Sequence, residues 1–271
     1  MSNVPRKHHF IPKFFLSNFT DDGTENGMIH VFDLERKKYR TGKPANIALE
    51  KDFYKIDVPS IKDPMIVEKT LAEMEGTWST IIKGIILNEQ MPEDEWMDDL
   101  IFFVAVLLTR TDCFKSHIST FITDIDLQHQ SKIDKKNDSL FFVQQIFLQA
   151  IRILPILSRR NWSLSVCKDV SQCLVCSNYP ISLIPTVPHS INSPPGLASE
   201  KTLVTLPISK KMLLLGSFDQ PVVNRSINHN EIAEFNTETI SNADLIFSSN
   251  REFLHFDESR KITTEFAFPK V

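Results

Sequence analysis

The sequence predicts an α+β protein: an N-terminal hairpin, a layer of three long helices, then a mostly antiparallel C-terminal sheet with one further helix. Three observations predict it. Apolar residues recur at three- and four-residue spacing through the middle of the chain. Proline and β-branched residues replace that spacing after Ser158-Arg-Arg-Asn161. Helices come in a run and strands in a run, which is not the grammar of a doubly wound sheet. At 271 residues the chain can bury one large core, so 1–271 is read as a single domain with sub-regions 1–64, 65–157 and 158–271.

Each element has a local reason. In the first sub-region Phe14, Phe15 and Phe19 follow Pro12 at helical spacing, which predicts a short buried helix and a docked arm. Turn residues Thr20 to Gly27 lead to a strand over Met28 to Asp33, then a charged turn Glu35-Arg-Lys-Lys38 and Tyr39, which together make a hairpin. A further short strand is expected over Lys51 to Ile56.

Val67, Leu71, Met74, Trp78, Ile81, Ile82 and Ile85 share one face of a helix over 65–87. A second helix opens at Pro92-Glu-Asp-Glu95, where proline suits the first turn and acids suit the positive pole, and is expected to run toward Phe121. A third starts at Asp138 or Ser139 and stops near Pro155. Strands are expected over 162–167, 173–177, 202–207, 212–216 and 245–248, with a helix over 228–243. The five-proline stretch Pro180 to Ser199 is expected to be irregular.

Composition excludes several functions. Thirty Lys and Arg against thirty-four Asp and Glu give a net charge of −4, so the surface as a whole is not built to grip nucleic acid or an anionic membrane. A local basic groove stays open. Only seven glycines are present, and neither G-x-x-x-x-G-K-[ST] nor G-x-G-x-x-G occurs, which removes those phosphate cradles. The start lacks an apolar signal core, and the apolar run Leu100 to Leu108 is too short to span a bilayer, so a cytoplasmic protein without membrane contact is expected. Cys113, Cys167, Cys173 and Cys176 read as free thiols; Cys173-x-x-Cys176 is half a zinc motif with no matching second half. Cofactor, metal and oligomeric state are not readable.

The segment His8-His9-Phe-Ile-Pro12-Lys-Phe-Phe-Leu16-Ser-Asn-Phe19 resembles the opening H-H-[aromatic]-x-P-x-[aromatic]-x-L-x-x-F of the Domain of Unknown Function 4238 family. Later landmarks resemble it too: Phe53-Tyr54, Glu68 and Glu75 on one helix, Thr109-Arg110-Thr111, Trp162, Val175 to Pro180, Leu206 to Ser209, and Asn236. Where the family pattern reads T-S-D-x-P, this chain has Cys176-Ser-Asn-Tyr-Pro180, so a role that needs a carboxylate is closed to Asn178. The resemblance implies a bacterial protein, with some members tied to mobile elements and phage defence, and tilts the reading toward nucleic-acid chemistry.

The candidate catalytic residues are His9, His8, Glu75, Arg110 and Asn178. Adjacent imidazoles supply near-neutral acid/base capacity, but in an extended segment only one faces a pocket, and His9 is favoured. Glu68 and Glu75 lie two helical turns apart, about 10.5 Å along the axis, too far to share a metal. Glu75 borders the apolar stripe, which makes an ion pair with Arg110 natural. The Arg110 fork could equally hold a phosphate. Asn178 ends a strand and is expected near His9. Arg159-Arg160 beside Trp162 offers a cation and an aromatic of the kind that binds nucleic acid, or a plain helix-to-strand junction.

Two readings follow. One is a nuclease or other enzyme acting on a phosphodiester or nucleotide, with His9 as acid/base, Glu75 as orienter and Arg110 stabilising charge. The other is a non-catalytic sensor or binding module in which His, Glu and Arg form a structural network.

Overall fold

The computed structural model describes residues 7–56, 63, 65–111, 114–115, 135–187, 196–219 and 224–266. It is α+β, as the spacing predicts. The segment opens with β1 (Lys7–His9) and α1 (Lys13–Ser17). Phe15, Leu16 and Phe19 of this arm are fully buried, each side chain contributing roughly 1.5 to 3 kcal/mol by leaving water. The docked arm is therefore a core element.

The hairpin is β2 (Ile29–Asp33) and β3 (Lys38–Gly42), paired antiparallel with Phe32 opposite Tyr39. The strand expected over 51–56 is instead β4 (Leu49–Lys51), which pairs with β1. Asp52 takes a positive φ of 57°, so the chain turns there and leaves Phe53 and Tyr54 in a buried corner.

The helical layer is α2 (Ile66–Asn88), α3 (Asp94–Thr109) and α4 (Lys135–Ser158). Two boundaries differ from expectation. Helix α3 ends at Thr109, whose hydroxyl turns back to the Ala105 and Val106 carbonyls and across to the Ile146 carbonyl of α4. Arg110 then leaves helical geometry, and the expected continuation over 116–121 lies outside the described residues. Helix α4 runs through Pro155 instead of stopping before it. The carbonyl that Pro155 leaves unserved belongs to Ile151, itself 57% exposed, so water can take it. The inner face of α4, Phe142, Val143, Ile146 and Ala150, packs in the core. This helix carries a longer apolar stretch than Leu100 to Leu108: Leu140–Ser158 is long and apolar enough to cross a membrane by length and composition, with a mean hydropathy of 1.7.

The strands form two main sheets. Strands β5 (Asn161–Val166), β7 (Ser182–Pro185), β8 (Thr202–Ser209), β9 (Met212–Ser217) and β10 (Arg225–Ser226) make one, in the order β10-β5-β9-β8-β7. Only the β10–β5 pair in it is parallel. Strand β7 lies inside the stretch expected to be irregular; it is an edge strand, where Pro185 removes no ladder hydrogen bond from a neighbour on its open side. The second sheet joins the N-terminal hairpin to β11 (Leu245–Ser248) and β6 (Cys176–Ser177), in the order β3-β2-β11-β6. The hairpin is thus completed by strands more than 130 residues away, because Cys176 pairs with Phe247 and Phe247 with Val31. Helix α5 (His229–Ser241) begins with a capping box between Asn228 and Glu231. A small pair, β12 (His255–Phe256) and β13 (Ile262–Thr263), follows.

Candidate functional site

Strand β1 alternates, so its two histidines part company. His8 is fully buried and His9 half-buried. The backbone N–H of Tyr54 donates to His8 Nδ1 at 2.9 Å, so the proton of the neutral ring sits on Nε2. The two rings stack with centroids 5.9 Å apart at 8°. His9 points elsewhere: its Nε2 lies 3.2 Å from the Pro44 carbonyl. That carbonyl only accepts, so Nε2 carries the proton and Nδ1 a lone pair. Burial lowers the His9 pKa below its usual 6.5, with the Pro44 contact and Glu75 opposing.

Arg110 stands at the centre of these residues, 2% exposed, where α3 ends. Its three nitrogens reach three elements. Nη1 donates to Glu75 Oε1 on α2 at 2.8 Å, Nε to the Tyr54 hydroxyl at 3.0 Å, and Nη2 to the His9 carbonyl at 2.9 Å. The Tyr54 hydroxyl donates in turn to the His9 carbonyl at 3.3 Å. Burial alone would lower the Arg110 pKa; Tyr54 and Glu75 outweigh it and hold the charge firmly in place. Burial pushes the Tyr54 hydroxyl up to about 12. Glu68, two turns before Glu75 on α2, has its pKa raised by burial against the pull of His8 and Arg110. At the rim Lys115 pairs with Glu50 at 2.6 Å and sits 4.4 Å from the Phe53 ring centroid.

Four of the five candidates, His8, His9, Glu75 and Arg110, therefore come together. The ion pair that the position of Glu75 makes natural is present, and the phosphate-holding alternative for Arg110 finds its nitrogens occupied by protein groups. Asn178 does not join them. It is fully buried at the end of β6, where Oδ1 accepts the N–H groups of Asp244 and Leu245 at 3.0 and 2.9 Å and Nδ2 donates to Asp244 Oδ2 at 3.3 Å. No hydrogen bond links it to His9. Its described bonds hold the start of β11 instead. Ser177 is equally occupied, its hydroxyl donating to the Tyr179 carbonyl.

Arg160 and Trp162 are also internal. The Arg160 guanidinium donates to the carbonyls of Thr202, Gly216 and Leu197 and lies 4.2 Å from the Phe218 ring centroid, while Trp162 Nε1 donates to the Leu157 carbonyl. Of the two uses open to them, these bonds match the plain helix-to-strand junction. Cys173 and Cys176 are buried in different apolar clusters, one beside Phe253 and the other beside Phe247, so they do not face one ion. Cys113 lies outside the described residues. Among the described residues no three His, Cys, Asp or Glu are grouped to hold a metal.

Tyr54 and Lys115 are the members that residue chemistry alone does not single out. Tyr54 is marked only by its place in the landmark Phe53-Tyr54, and no local spacing connects it to positions 46 and 56 residues away. Cavities of about 350, 340 and 460 Å³ lie elsewhere, beside Trp96, Lys210 and His229 respectively. None of these three is lined by the cluster.

The cluster and the fold define an α+β domain whose N-terminal arm is clasped by an arginine at a helix end. The chain belongs to the family described as "Protein of unknown function (DUF4238)", which matches residues 7–252. No curated protein and no solved structure matches it.

Proposed function

We propose that this chain is a non-catalytic sensor or binding module, in which His8, His9, Tyr54, Glu75 and Arg110 form a structural clasp. The observation that supports it is Arg110: buried, with each guanidinium nitrogen donating to a protein acceptor. A cation used this way holds the arm to α2 and α3 and is not free to stabilise charge on a substrate. The test compares the wild type with His9→Ala in nucleic-acid cleavage, with divalent metals added and then chelated. The expected result is no cleavage above background from either protein. Metal-dependent cleavage by the wild type that His9→Ala abolishes would overturn this reading.

The second reading, a nuclease or other phosphodiester- or nucleotide-acting enzyme of a bacterial defence or mobile-element system, has one observation in its favour. His9 is a neutral imidazole with Nε2 anchored on a backbone carbonyl and Nδ1 holding a lone pair, which is the form a general base needs. On either reading the chain works in the cytoplasm.

A further inference from the structure

We propose that the groove between the end of α2 and the start of α3 receives an arginine side chain of a partner protein, with Trp96 as its stacking surface. None of the clasp residues lines this cavity of about 350 Å³, so the site is separate from the clasp. Its first wall is one stripe of α2, Thr80, Gly84 and Asn88 at four-residue spacing, over a floor of buried Ile81 and Ile85. A Cβ at Gly84 would meet no atom within 4 Å, so the missing side chain leaves the space open. Glycine in a helix interior costs stability, and here no close neighbour requires it. The second wall is Trp96 in the first turn of α3, 39% exposed and stacked on no ring or cation among the described residues. Its Nε1 and the side chains of Asn88, Gln90 and Glu93 make no hydrogen bond among the described residues either. An indole, two amides and a carboxylate thus surround one cavity with their polar groups unused.

Charge decides what fits. No base lines the cavity, and from Glu89 to Asp99 the chain holds six acids and no base. Glu89 pairs with Lys168, whereas Glu93, Asp94, Glu95, Asp98 and Asp99 have no ion-pair partner among the described residues. The positive pole of α3 accounts for Asp94 and Glu95 in its first turn. It does not account for Glu93, whose side chain caps no N–H, nor for a half-exposed indole beside it. The negative pole of α2, which ends at Asn88, faces the same region and offsets that of α3. Phosphates and carboxylates are therefore repelled, and a cation is drawn in. A guanidinium meets every feature: its plane stacks on the indole, its donors suit the carboxylate and the amide oxygens, and its aliphatic stem covers Ile81 and Ile85. An ammonium has the charge without the plane. Asn88, Gln90 and Glu93 at the rim are exposed, so the arginine enters from a chain lying outside.

The test is fluorescence anisotropy of the full chain with labelled hexa-arginine, hexalysine and hexaglutamate peptides, together with acrylamide quenching of tryptophan emission. Trp78 and Trp162 are buried, so quenching reports chiefly on Trp96. Hexa-arginine should bind more tightly than hexalysine, hexaglutamate should not bind, and bound hexa-arginine should shield Trp96 from acrylamide. Trp96→Ala should weaken hexa-arginine ~10-fold and bring it to the level of hexalysine. Glu93→Lys should weaken both peptides. Gly84→Met should fill the groove and remove binding, whereas Gly76→Met, on the same helix and equally open but outside the groove, should leave it unchanged. Both replacements remove a glycine from a helix interior, so each should raise the melting midpoint, which separates lost binding from unfolding. Absence of hexa-arginine binding at low salt, equal affinity for hexalysine, an unshielded Trp96, or undiminished binding by Gly84→Met would each overturn the groove. The cleavage assay decides the clasp and this assay the groove, so each can fail alone.

Discussion

The Glu75–Arg110 pair couples two groups of unequal burial, the arginine at 2% and the glutamate at 23% side-chain exposure. Removing the carboxylate leaves a buried cation without its counter-ion, so Glu75→Gln should cost about 3 to 5 kcal/mol, and Arg110→Met together with Glu75→Gln less than the sum of the two. Chemical denaturation of the two single variants and the double variant gives the coupling directly. Glu68 acts in the opposite sense. Burial raises its pKa above 4.5, so the folded chain keeps this proton at pH values where the unfolded chain has lost it. Stability therefore falls as pH rises through that window. Glu68→Gln should raise the melting midpoint at pH 7, with the gain gone at pH 4; a gain that persists in acid would contradict the sign. Asn178→Asp would set a second carboxylate 3.3 Å from Asp244, and should destabilise more at pH 7.5 than at pH 5. At this scale the sequence was legible where a charged residue stood against an apolar run of its own helix: Glu75 borders the apolar face of α2, and Arg110 closes the apolar run of α3. It was silent on Asn178, because a buried asparagine and a substrate-binding one look alike until their partners are known.

Among the elements, those with an unbroken period were readable in advance. Helix α5 and strand β11 match their expected spans because an asparagine cap and a four-residue apolar run define them locally. The elements misjudged were those whose limits depend on neighbours. Helix α3 ends where Thr109 bonds to α4, Pro155 survives in a helix because its side of α4 meets water, and β7 exists because β8 offers it an edge. The arm belongs with the readable group, since a dense run of phenylalanines has to be buried. Phe15 is fully buried against Phe19 and Phe103, with centroids 5.6 Å away in both cases. Phe15→Ala should cost about 3 to 5 kcal/mol, measured by denaturant titration. A change within 1 kcal/mol would mean that the arm is not part of the core. In the C-terminal sheet a Cβ on Gly216 would lie 3.0 Å from the Trp162 ring, so Gly216→Ala should lower the melting midpoint through overpacking.

Across the whole molecule the largest apolar cluster runs from Phe10 through Trp78, Phe103 and Ile146 to Phe247, drawing on all three sub-regions. A core shared in this way predicts one cooperative transition, with tryptophan fluorescence and far-ultraviolet circular dichroism giving coincident melting curves. Two separate transitions would divide the chain into independent units. The same connectivity sets an order of events during synthesis. Asn18 donates to the Ile208 carbonyl and accepts from the Lys210 backbone N–H, so this segment waits for partners 190 residues downstream. At roughly 5 to 20 residues per second that interval is about 10 to 40 s. Until α3 emerges to bring Phe103 against them, and in full until β8 follows, a ribosome-bound chain displays phenylalanines without their partners, which makes the nascent protein a client for chaperones that hold exposed aromatic segments.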